Sequence, residues 1–487
     1  MRHCLTIFFI ACSVVLTGSS VAAFSHFPAD TIHRSKRKMI VDTSRYVQVD
    51  QIIIAGNKRT HNTIILRELA LKPGDFVQLG YLPEVLEKDK RKLFNLHLFH
   101  TVQIYSLDAG NGKINLLVEV DERWFTFPVP IFRLSDRNFN EWWENYNHDF
   151  SRVNYGLKLY QYNLWGRNHT MTFTSQFGFQ RRFDLMYRIP YINKKQKQGL
   201  TFELDYIEAK NVADSTINHK LNFIKYDRVL RRTNGIGLTY TYRNNFYNYH
   251  RLKYEFRQTV IADTLHELNP NYLGGDRVRQ KYDAVTYEFI SDHRDVIAYP
   301  LRGHIFSLHL QKYGVGLHND LNKTDASLYF ALFREVSKGF FFSNLSFAYV
   351  STPDKLPYFN YGAMGYDKIF VRGYEVYVIE GPQYFLNKTT FKKRIFSRNW
   401  DLNFWAKDQF NYFPLAIYLK AFADAGYVNN YSAYTKSGVN TMLSDKFISG
   451  AGVGLDVATA YDVVVRFEYT FTSQNTNGFF LHIKKEF

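Results

Sequence analysis

The sequence predicts a transmembrane β-barrel of about 16 antiparallel strands, preceded by one small α+β domain. Aromatic residues make up 17% of the chain, with 36 Tyr and 43 Phe, yet the mean hydropathy is only −0.31. A barrel alternates lipid-facing and lumen-facing residues, which keeps hydropathy low, while its aromatic girdles raise the Tyr, Phe and Trp content. After the N-terminal segment, no apolar run reaches the roughly 18 residues that a membrane-spanning helix needs.

Residues 1–23 are predicted to be a secretory signal peptide. Arg2 and His3 form a basic start, residues 5–16 an apolar core, and residues 21–23 (Val-Ala-Ala) a cleavage site of small residues. The alternative is a membrane anchor, but about 12 apolar residues are too few to span a bilayer as a helix. The sequence therefore predicts export, followed by a polar linker at 24–45.

Cysteine and charge exclude several classes of function. Cys4 and Cys12 are the only cysteines, and both lie in the predicted signal peptide. The mature chain would then form no disulfide, Cys-ligated metal site or Cys nucleophile. The net charge of +16 comes from basic residues spread along the chain. Loops, turns and anionic lipid head groups explain that charge better than nucleic acid, because the chain is predicted to be exported.

Residues 46–123 have the pattern of a small β-α-α-β-β domain. The run Ile52-Ile53-Ile54 ends a strand before a turn at residues 55–57, and Thr60 is placed to cap a first helix. A second helix is predicted at about 83–96, because Pro83 is tolerated in a first turn and apolar residues recur on one face. Two strands, at 101–107 and 114–122, complete the domain.

A connector at 124–152 is predicted to lead into a barrel at 153–487. That region consists of alternating runs of roughly 8 to 12 residues, separated by turns rich in Gly, Asn and Asp. An even strand number leaves short turns on one side of the membrane and longer loops on the other. By this count a long loop, at about 353–382, joins the eleventh and twelfth strands on the outer face.

The period of two in the last strands predicts which side chains point into the lumen. Leu415, Ile417 and Leu419 share the lipid face with Phe413 and Ala421. The predicted lumenal residues are Tyr418, Lys420, Phe422, Asp424, Gly450, Gly452, Gly454, Asp456, Arg466 and Glu468. Val463 and Val465, with Phe467, Tyr469 and Phe471, are predicted to face lipid.

The long loop contains an arginine that is predicted to lie inside the barrel. Arg372 stands between Val371 and Gly373-Tyr374. Apolar neighbours of this kind are unusual for an arginine in an exposed surface loop. The lumenal carboxylates Asp424 and Asp456 are its predicted partners, because a guanidinium grips a carboxylate with two parallel hydrogen bonds. The alternative is an ordinary surface turn.

Three lumenal glycines, Gly450, Gly452 and Gly454, are predicted to form a berth for this loop. A glycine in a strand costs stability and often marks the close approach of another backbone. The alternative is that these glycines only relieve crowding in a curved sheet.

These features together resemble the superfamily of outer-membrane proteins that join POTRA domains to a β-barrel, which includes the BamA/TamA assembly factors and the two-partner-secretion transporters. The opening I-x-I-x-G-N-K-R-T and the L-K-P-G-D break resemble a POTRA domain. In the barrel the resemblance rests on the V-R-G-Y loop (Val371, Arg372, Gly373, Tyr374), the F-x-D-x-G strand (Phe422, Asp424, Gly426), the D-x-R-D…P-x-x-G strand opening (Asp292, Arg294, Asp295, Gly303), the N-L-x-G turn (Asn163 to Gly166) and the C-terminal strand signal (Phe479, Leu481, Ile483, Phe487).

The resemblance implies that the F-x-D-x-G strand receives the loop arginine. It also implies a non-enzymatic assembly or translocation factor in the outer membrane of a Gram-negative bacterium, with its POTRA domain in the periplasm. The partners would be unfolded outer-membrane or secreted clients, outer-membrane lipid, and periplasmic chaperones or lipoproteins, with no nucleic acid, cofactor or metal. The chain has one POTRA where assembly factors usually have several.

Three classes of function remain open from the sequence. The first is a translocase or insertase, with a dedicated two-partner-type transporter as its variant. The second is an enzyme, for which Ser291-Asp292-His293 is the only triad-like cluster, although strand alternation keeps its three side chains from sharing one face. The third is a passive pore or receptor, which would conduct without a client.

Overall fold

The computed structural model describes residues 45–483, except 95, 97, 136–141, 144–146, 194, 196, 246, 298, 367–368, 402–411 and 460–463. The predicted signal peptide, most of the linker, Val463 and Phe487 lie outside the described residues. The chain divides into two compact units, one with residues up to 127 together with 160–171, the other with 128–159 and 172–487. No helix in the described part of the chain has the length and apolar character needed to cross a membrane.

The small α+β domain has a four-stranded sheet with two helices. Its elements are β1 (Tyr46–Ala55), α1 (Asn62–Leu66), β2 (Phe76–Gln78), α2 (Leu82–Phe94), β3 (Phe99–Gly110) and β4 (Lys113–Glu122). The strand order is β2-β1-β4-β3, with β1 and β4 parallel. This confirms the predicted β-α-α-β-β order, to which the structure adds the three-residue β2 after the Pro-Gly break.

The helices and the sheet of this domain bury two neighbouring apolar clusters. Ile65 of α1, Leu93 of α2, Phe99 of β3 and Val118 of β4 are each fully buried and share one cluster. The turn after β1 requires Gly56, which has a φ of +88° and lies so close to the Val120 carbonyl that an added Cβ would overlap it.

Among the described residues, 16 further strands form a second, antiparallel sheet, which confirms the predicted barrel class and strand number. The strands are β5 (Thr126–Leu134), β6 (Val153–Leu164), β7 (His169–Gly178), β8 (Gln180–Ile189), β9 (Gln198–Ala209), β12 (Arg231–Arg243), β13 (Asn248–Ile261), β14 (Arg279–Asp292), β15 (Gly303–Tyr313), β16 (Lys323–Ser337), β17 (Phe340–Thr352), β20 (Gln383–Asp401), β21 (Tyr412–Asn429), β22 (Phe447–Thr459), β23 (Val464–Thr472) and β24 (Asn477–Ile483). They pair in chain order, with β5 and β24 as the two ends.

The sheet begins earlier than the sequence analysis expected, because β5 lies inside the predicted connector. Pro128 and Pro130 interrupt the alternating pattern of this strand and hid it. Proline lacks an N–H group and is therefore confined to edge strands, which is the position that β5 occupies. The boundary at 153 was therefore wrong for the start of the sheet.

The longer connections gather at one end of the sheet. They contain the hairpin β10 (Asn211–Ile217) and β11 (Lys220–Lys225), the helices α3 (Asp263–Leu268) and α4 (Ser432–Ser437), and the short pair β18 (Ala363–Met364) and β19 (Ile379–Glu380). The loop with β18 and β19 joins β17 to β20, which are the eleventh and twelfth strands, as predicted.

Burial along the last strands follows the predicted period of two. On β21 Lys420 and Asp424 are 2% and 4% exposed, whereas Leu419 is 52% exposed. On β22 Asp456 is buried and Val453 is exposed, and on β23 Glu468 is buried and Phe471 is exposed. The face that carries Lys420, Asp424, Asp456 and Glu468 is called the lumenal face below.

Candidate functional site

The loop between β17 and β20 places its V-R-G-Y segment against the lumenal face. Val371 and Tyr374 are fully buried and pack with Leu386 of β20, Val428 of β21 and Ile448 of β22. Arg372 is only 5% exposed. A buried arginine requires paired acceptors, because an uncompensated charge in the interior is strongly destabilising.

Arg372 finds those acceptors mainly in Asp424. Its Nε donates to Asp424 Oδ2 at 2.8 Å and its Nη2 donates to Oδ1 at 2.5 Å, a two-pronged pairing. The backbone N–H of Arg372 also donates to Oδ2 at 3.1 Å. A further bond runs from Nη2 to Thr390 Oγ1 at 3.0 Å. Asp424 therefore fixes both the side chain and the backbone of the loop.

All three defined positions of the F-x-D-x-G strand contact the loop. The Phe422 ring lies 3.9 Å from the Arg372 guanidinium carbon, in a cation–π arrangement. Gly426 lies under Val371, since an added Cβ would come within 2.7 Å of the Val371 methyl group. The spacing of two explains the motif, because it places Phe422, Asp424 and Gly426 in one row on the lumenal face.

Of the three predicted berth glycines, one contacts the loop. A Cβ on Gly450 would overlap the carbonyl oxygen of Arg372, so the loop backbone lies directly on this residue. Gly452 instead makes room for the Phe422 ring, and Gly454 for the Lys420 side chain. The glycine row therefore serves both the loop and the side chains beneath it.

Asp456 does not pair with Arg372, which corrects the prediction. It accepts hydrogen bonds from Lys420 Nζ at 2.5 Å, Arg466 Nε at 3.1 Å and Tyr299 OH at 2.9 Å. The physical reason is distance along the strand. Asp456 follows Gly450 by six positions on β22, which at the rise of a strand is roughly 20 Å from the place where the loop lies.

Glu468 is the carboxylate that the sequence analysis placed on the lumenal face but did not assign to the loop. Its Oε1 lies 3.4 Å from Arg372 Nη1 and 2.8 Å from Lys420 Nζ. It thus connects the Arg372–Asp424 pair to the Lys420–Asp456 pair. The alternation of β23 already gave its direction, but the pairing depends on the register of β22 and β23.

The D-x-R-D residues form the turn between β14 and β15, away from Arg372. Arg294 grips Asp292 with two bonds of 2.8 and 2.7 Å, and Asp295 Oδ1 accepts the Leu301 N–H at 3.0 Å. Gly303 has a φ of +100° and faces the His293 carbonyl. This turn also carries Tyr299, which reaches Asp456.

The triad-like cluster Ser291-Asp292-His293 is not arranged for catalysis. Asp292 is engaged with Arg294, and the His293 ring stacks on Tyr247 and His304 at centroid distances of 4.1 and 4.7 Å. In a hydrolytic triad the acid orients the base, and the base is directed at the nucleophile. Here Asp292 does not orient His293.

Two further predicted motifs lie elsewhere. Asn163 and Trp165 of the N-L-x-G turn have positive φ values of 49° and 55°, and Asn163 Nδ2 donates to Thr60 Oγ1 at 2.8 Å. In the C-terminal signal, Leu481 is partly buried on β24, and Phe479 is exposed and lies 6.2 Å from the Phe467 ring. Ile483 ends β24.

The longer connections at one end of the sheet bury a carboxyl group that the sequence analysis missed. Glu380 of β19 is 2% exposed and accepts hydrogen bonds from Thr216 Oγ1 of β10 at 2.9 Å and Tyr434 OH of α4 at 2.5 Å. Burial raises the pKa of Glu380 to about 7. Nearby His219, also buried, has its pKa lowered to about 4 by burial. No alternating pattern marks these loop residues in the sequence.

Comparison with known families and structures agrees with this architecture. Residues 163–487 match the family described as the Omp85 superfamily domain, and residues 47–123 match a POTRA family described as a surface antigen variable number repeat. No curated protein matches the chain.

Three solved structures are similar in fold. BamA from Haemophilus ducreyi lacking POTRA domains 1–3 is 13% identical with a TM-score of 0.56, and the match covers 90% of this chain and 83% of that one. CdiB from Escherichia coli is 14% identical with a TM-score of 0.52, covering 90% and 75%. CdiB from Acinetobacter baumannii is 11% identical with a TM-score of 0.51, covering 89% and 73%. At these identities the likeness establishes the fold.

Proposed function

The chain belongs to the Omp85 superfamily, and from this premise we propose that it inserts unfolded polypeptides into the outer membrane of a Gram-negative bacterium or passes them across it. The observation that carries the proposal is the buried pairing of Arg372 with Asp424. It holds a long loop on the lumenal face of β20 to β23, beside one end of the sheet. A passive pore has no need of a charged pair that keeps a loop inside the barrel.

The small α+β domain supplies a surface for unfolded clients in this proposal. Its sheet ends in β2 on one side and β3 on the other. A free strand edge can accept an extended peptide through backbone hydrogen bonds, which recognises conformation rather than sequence. Tyr105 and Leu107 of β3 are 46% and 44% exposed and offer apolar contacts beside that edge. We place this domain in the periplasm.

The barrel contributes a seam. Among the described residues, β5 and β24 are each paired on one side only. Their open edges could template the first strand of a client, so that hydrogen bonds to the protein replace those to water as the client enters lipid. The reaction would be non-enzymatic and would need no nucleotide. We expect its partners to be unfolded clients, outer-membrane lipid, and periplasmic chaperones or lipoproteins.

A dedicated transporter for one or a few clients is the second candidate. One observation favours it: the fold is also similar to CdiB. A protein that serves many clients would engage a broad set of unfolded barrels, whereas a dedicated transporter would engage a single class.

Depletion of the protein followed by quantitative proteomics of isolated outer membranes tests the proposal and separates the two candidates. Broad loss of integral barrels would identify an assembly factor. Loss of a few surface or secreted proteins, with other barrels intact, would identify a dedicated transporter.

Complementation with Arg372→Ala then tests the role of the loop. We expect it to fail at a normal protein level, whereas Arg277→Ala, which alters an exposed ion pair with Asp320, should complement fully. An unchanged outer-membrane proteome after depletion, or full client assembly by Arg372→Ala, would refute the proposal.

A further inference from the structure

A cluster of three buried side chains lies next to the Arg372–Asp424 pair and shares Glu468 with the charge network around it. Glu375 follows Arg372 in the loop, Glu468 is on β23, and His482 is on β24. One ligand atom from each lies within 4.8 Å of the other two. The three are 3%, 1% and 8% exposed. None of them was assigned a metal in the sequence analysis, since they are far apart in the chain.

The spacing of these atoms suits an ion better than direct hydrogen bonds. His482 Nε2 lies 3.6 Å from Glu375 Oε1 and 3.5 Å from Glu468 Oε2, beyond the usual range of 2.7–3.2 Å for N–H···O bonds. Around a tetrahedral zinc ion with bonds of about 2.0–2.1 Å, neighbouring ligand atoms are roughly 3.3–3.4 Å apart. The three groups therefore need only small side-chain movements to enclose a cation.

Two of the ligand atoms also lack another role. His482 Nε2 and Glu468 Oε2 are buried and make no hydrogen bond. A buried polar atom left in this way costs about 1–3 kcal/mol, and sites of this kind call for a specific explanation. A bound cation satisfies both atoms at once.

Other contacts hold these three side chains in place, as the groups around a metal site hold its ligands. Glu375 Oε2 accepts the backbone N–H of Gly373 at 2.7 Å, and Glu468 Oε1 is 2.8 Å from Lys420 Nζ. The ring of His482 stacks on Phe370 of the loop, with centroids 6.0 Å apart and an interplanar angle of 26°. Such contacts orient ligands and leave their other atoms facing the ion.

We propose that Glu375, Glu468 and His482 form a binding site for a divalent transition-metal ion of the zinc class. One imidazole and two carboxylates are suitable ligands for Zn²⁺, whereas Ca²⁺ and Mg²⁺ favour sites made of oxygen alone. A fourth position remains for water. The ion would connect the loop to β23 and to β24, the last strand of the sheet, and would thus fasten the loop to the edge strand independently of Arg372.

Zinc binding to the purified full-length protein, carrying no histidine tag and first stripped with a chelator, tests the site. Competition with a chromophoric chelator should give one tight site in the wild type. Glu375→Gln and His482→Gln should each weaken it by about 100-fold or more. The matched control is His318→Gln, which removes a histidine beside another buried carboxylate, Asp283 at 3.0 Å, and should leave zinc affinity unchanged.

The result that would overturn the proposal is wild-type zinc affinity in both ligand variants, or no binding by the wild type. If the variants fail to fold, the zinc-edge X-ray absorption spectrum of the wild type decides. It must show one imidazole nitrogen and otherwise oxygen neighbours at about 2.0–2.1 Å, and a spectrum with no imidazole, or with two or more, refutes the site.

Discussion

At the scale of single residues, the lumenal face is a network of alternating charges centred on Arg372. Asp424 takes both prongs of the guanidinium, and Glu468 bridges to Lys420, which pairs with Asp456. Each charge in the network is satisfied by at least one neighbour of opposite sign. Removing one partner leaves an uncompensated buried charge, which is why such a pair has a large effect when broken.

A double-mutant cycle with Arg372→Gln and Asp424→Asn should therefore show strong coupling. Each single change leaves one buried charge without its partner and should cost about 3–5 kcal/mol. The double mutant removes both charges of the pair and should be less destabilised than the sum, with a coupling energy of about 1–3 kcal/mol. The measurement is the unfolding midpoint of the detergent-solubilised barrel. Unfolding is monitored by the change in gel mobility between the folded and the heat-denatured protein.

The matched control is the exposed pair Arg277 and Asp320, whose side chains are 49% and 37% exposed. The same substitutions there should couple by less than about 1 kcal/mol. Equal coupling at the two pairs would contradict the idea that burial makes the Arg372 pair strong.

At the scale of elements, one carboxyl group joins three of the longer connections at one end of the sheet. Glu380 of β19 receives hydrogen bonds from β10 and α4, and the backbone of His219, in the turn between β10 and β11, bonds Asn440 and Val378. None of these elements is long enough to be stable alone. Their order depends on contacts between them, and both Glu380 and His219 have pKa values that burial has shifted.

Glu380 should make these connections more stable at acid pH than at alkaline pH, whereas His219, whose pKa is lowered to about 4, acts in the opposite direction. The folded-state pKa of Glu380 is about 7, above its ordinary value of 4.5, so the folded loops bind the proton more tightly than the unfolded ones. This contribution to stability is complete below about pH 4.5 and is lost as the pH rises through about 7. Amide hydrogen exchange of β10 and β11 at about pH 5.5 and about pH 8, corrected for intrinsic rates, measures it.

Glu380→Gln should remove the Glu380 contribution, because glutamine keeps the shape of the side chain without the titration. The wild type should therefore lose more protection than this variant as the pH rises from about 5.5 to about 8. Glu267→Gln, an exposed glutamate of α3 at the same end of the sheet, is the control and should behave like the wild type. A wild type that loses no more protection than Glu380→Gln would show the sign to be wrong.

At the scale of the whole molecule, the 16-stranded sheet holds on its lumenal face a loop that one of its own connections supplies. The V-R-G-Y segment is buried among residues of β20, β21 and β22, and Gly450 allows its backbone to lie directly on the strand. The loop therefore occupies space on the lumenal face that would otherwise be open to ions.

The full-length protein should conduct poorly in planar lipid bilayers, and Arg372→Ala with Asp424→Ala should raise its conductance several-fold. The reason is that the paired charges hold the loop in the lumen, and their removal lets it leave. Arg277→Ala with Asp320→Ala serves as the control and should conduct like the wild type. Large ohmic conductance in the wild type, unchanged by the lumenal substitutions, would instead favour the passive pore.

Much of this molecule is determined by local sequence. A period of two fixes which side chains of β21, β22 and β23 share a face, because successive residues of a strand point to opposite sides. That rule placed Lys420, Asp424 and Glu468 together, and the loop motif supplied the matching Arg372.

Tertiary structure alone decided which of these groups meet. Asp456 shares the lumenal face but lies too far along β22 to reach Arg372, whereas Glu468 is brought close by the register of β22 and β23. Likewise β5 is a strand despite its prolines, because an edge strand needs fewer N–H donors. The cluster of Glu375, Glu468 and His482 exists only once a loop and two strands, distant in the chain, are folded against one another, and pairing at such distances leaves no periodic signal in the sequence.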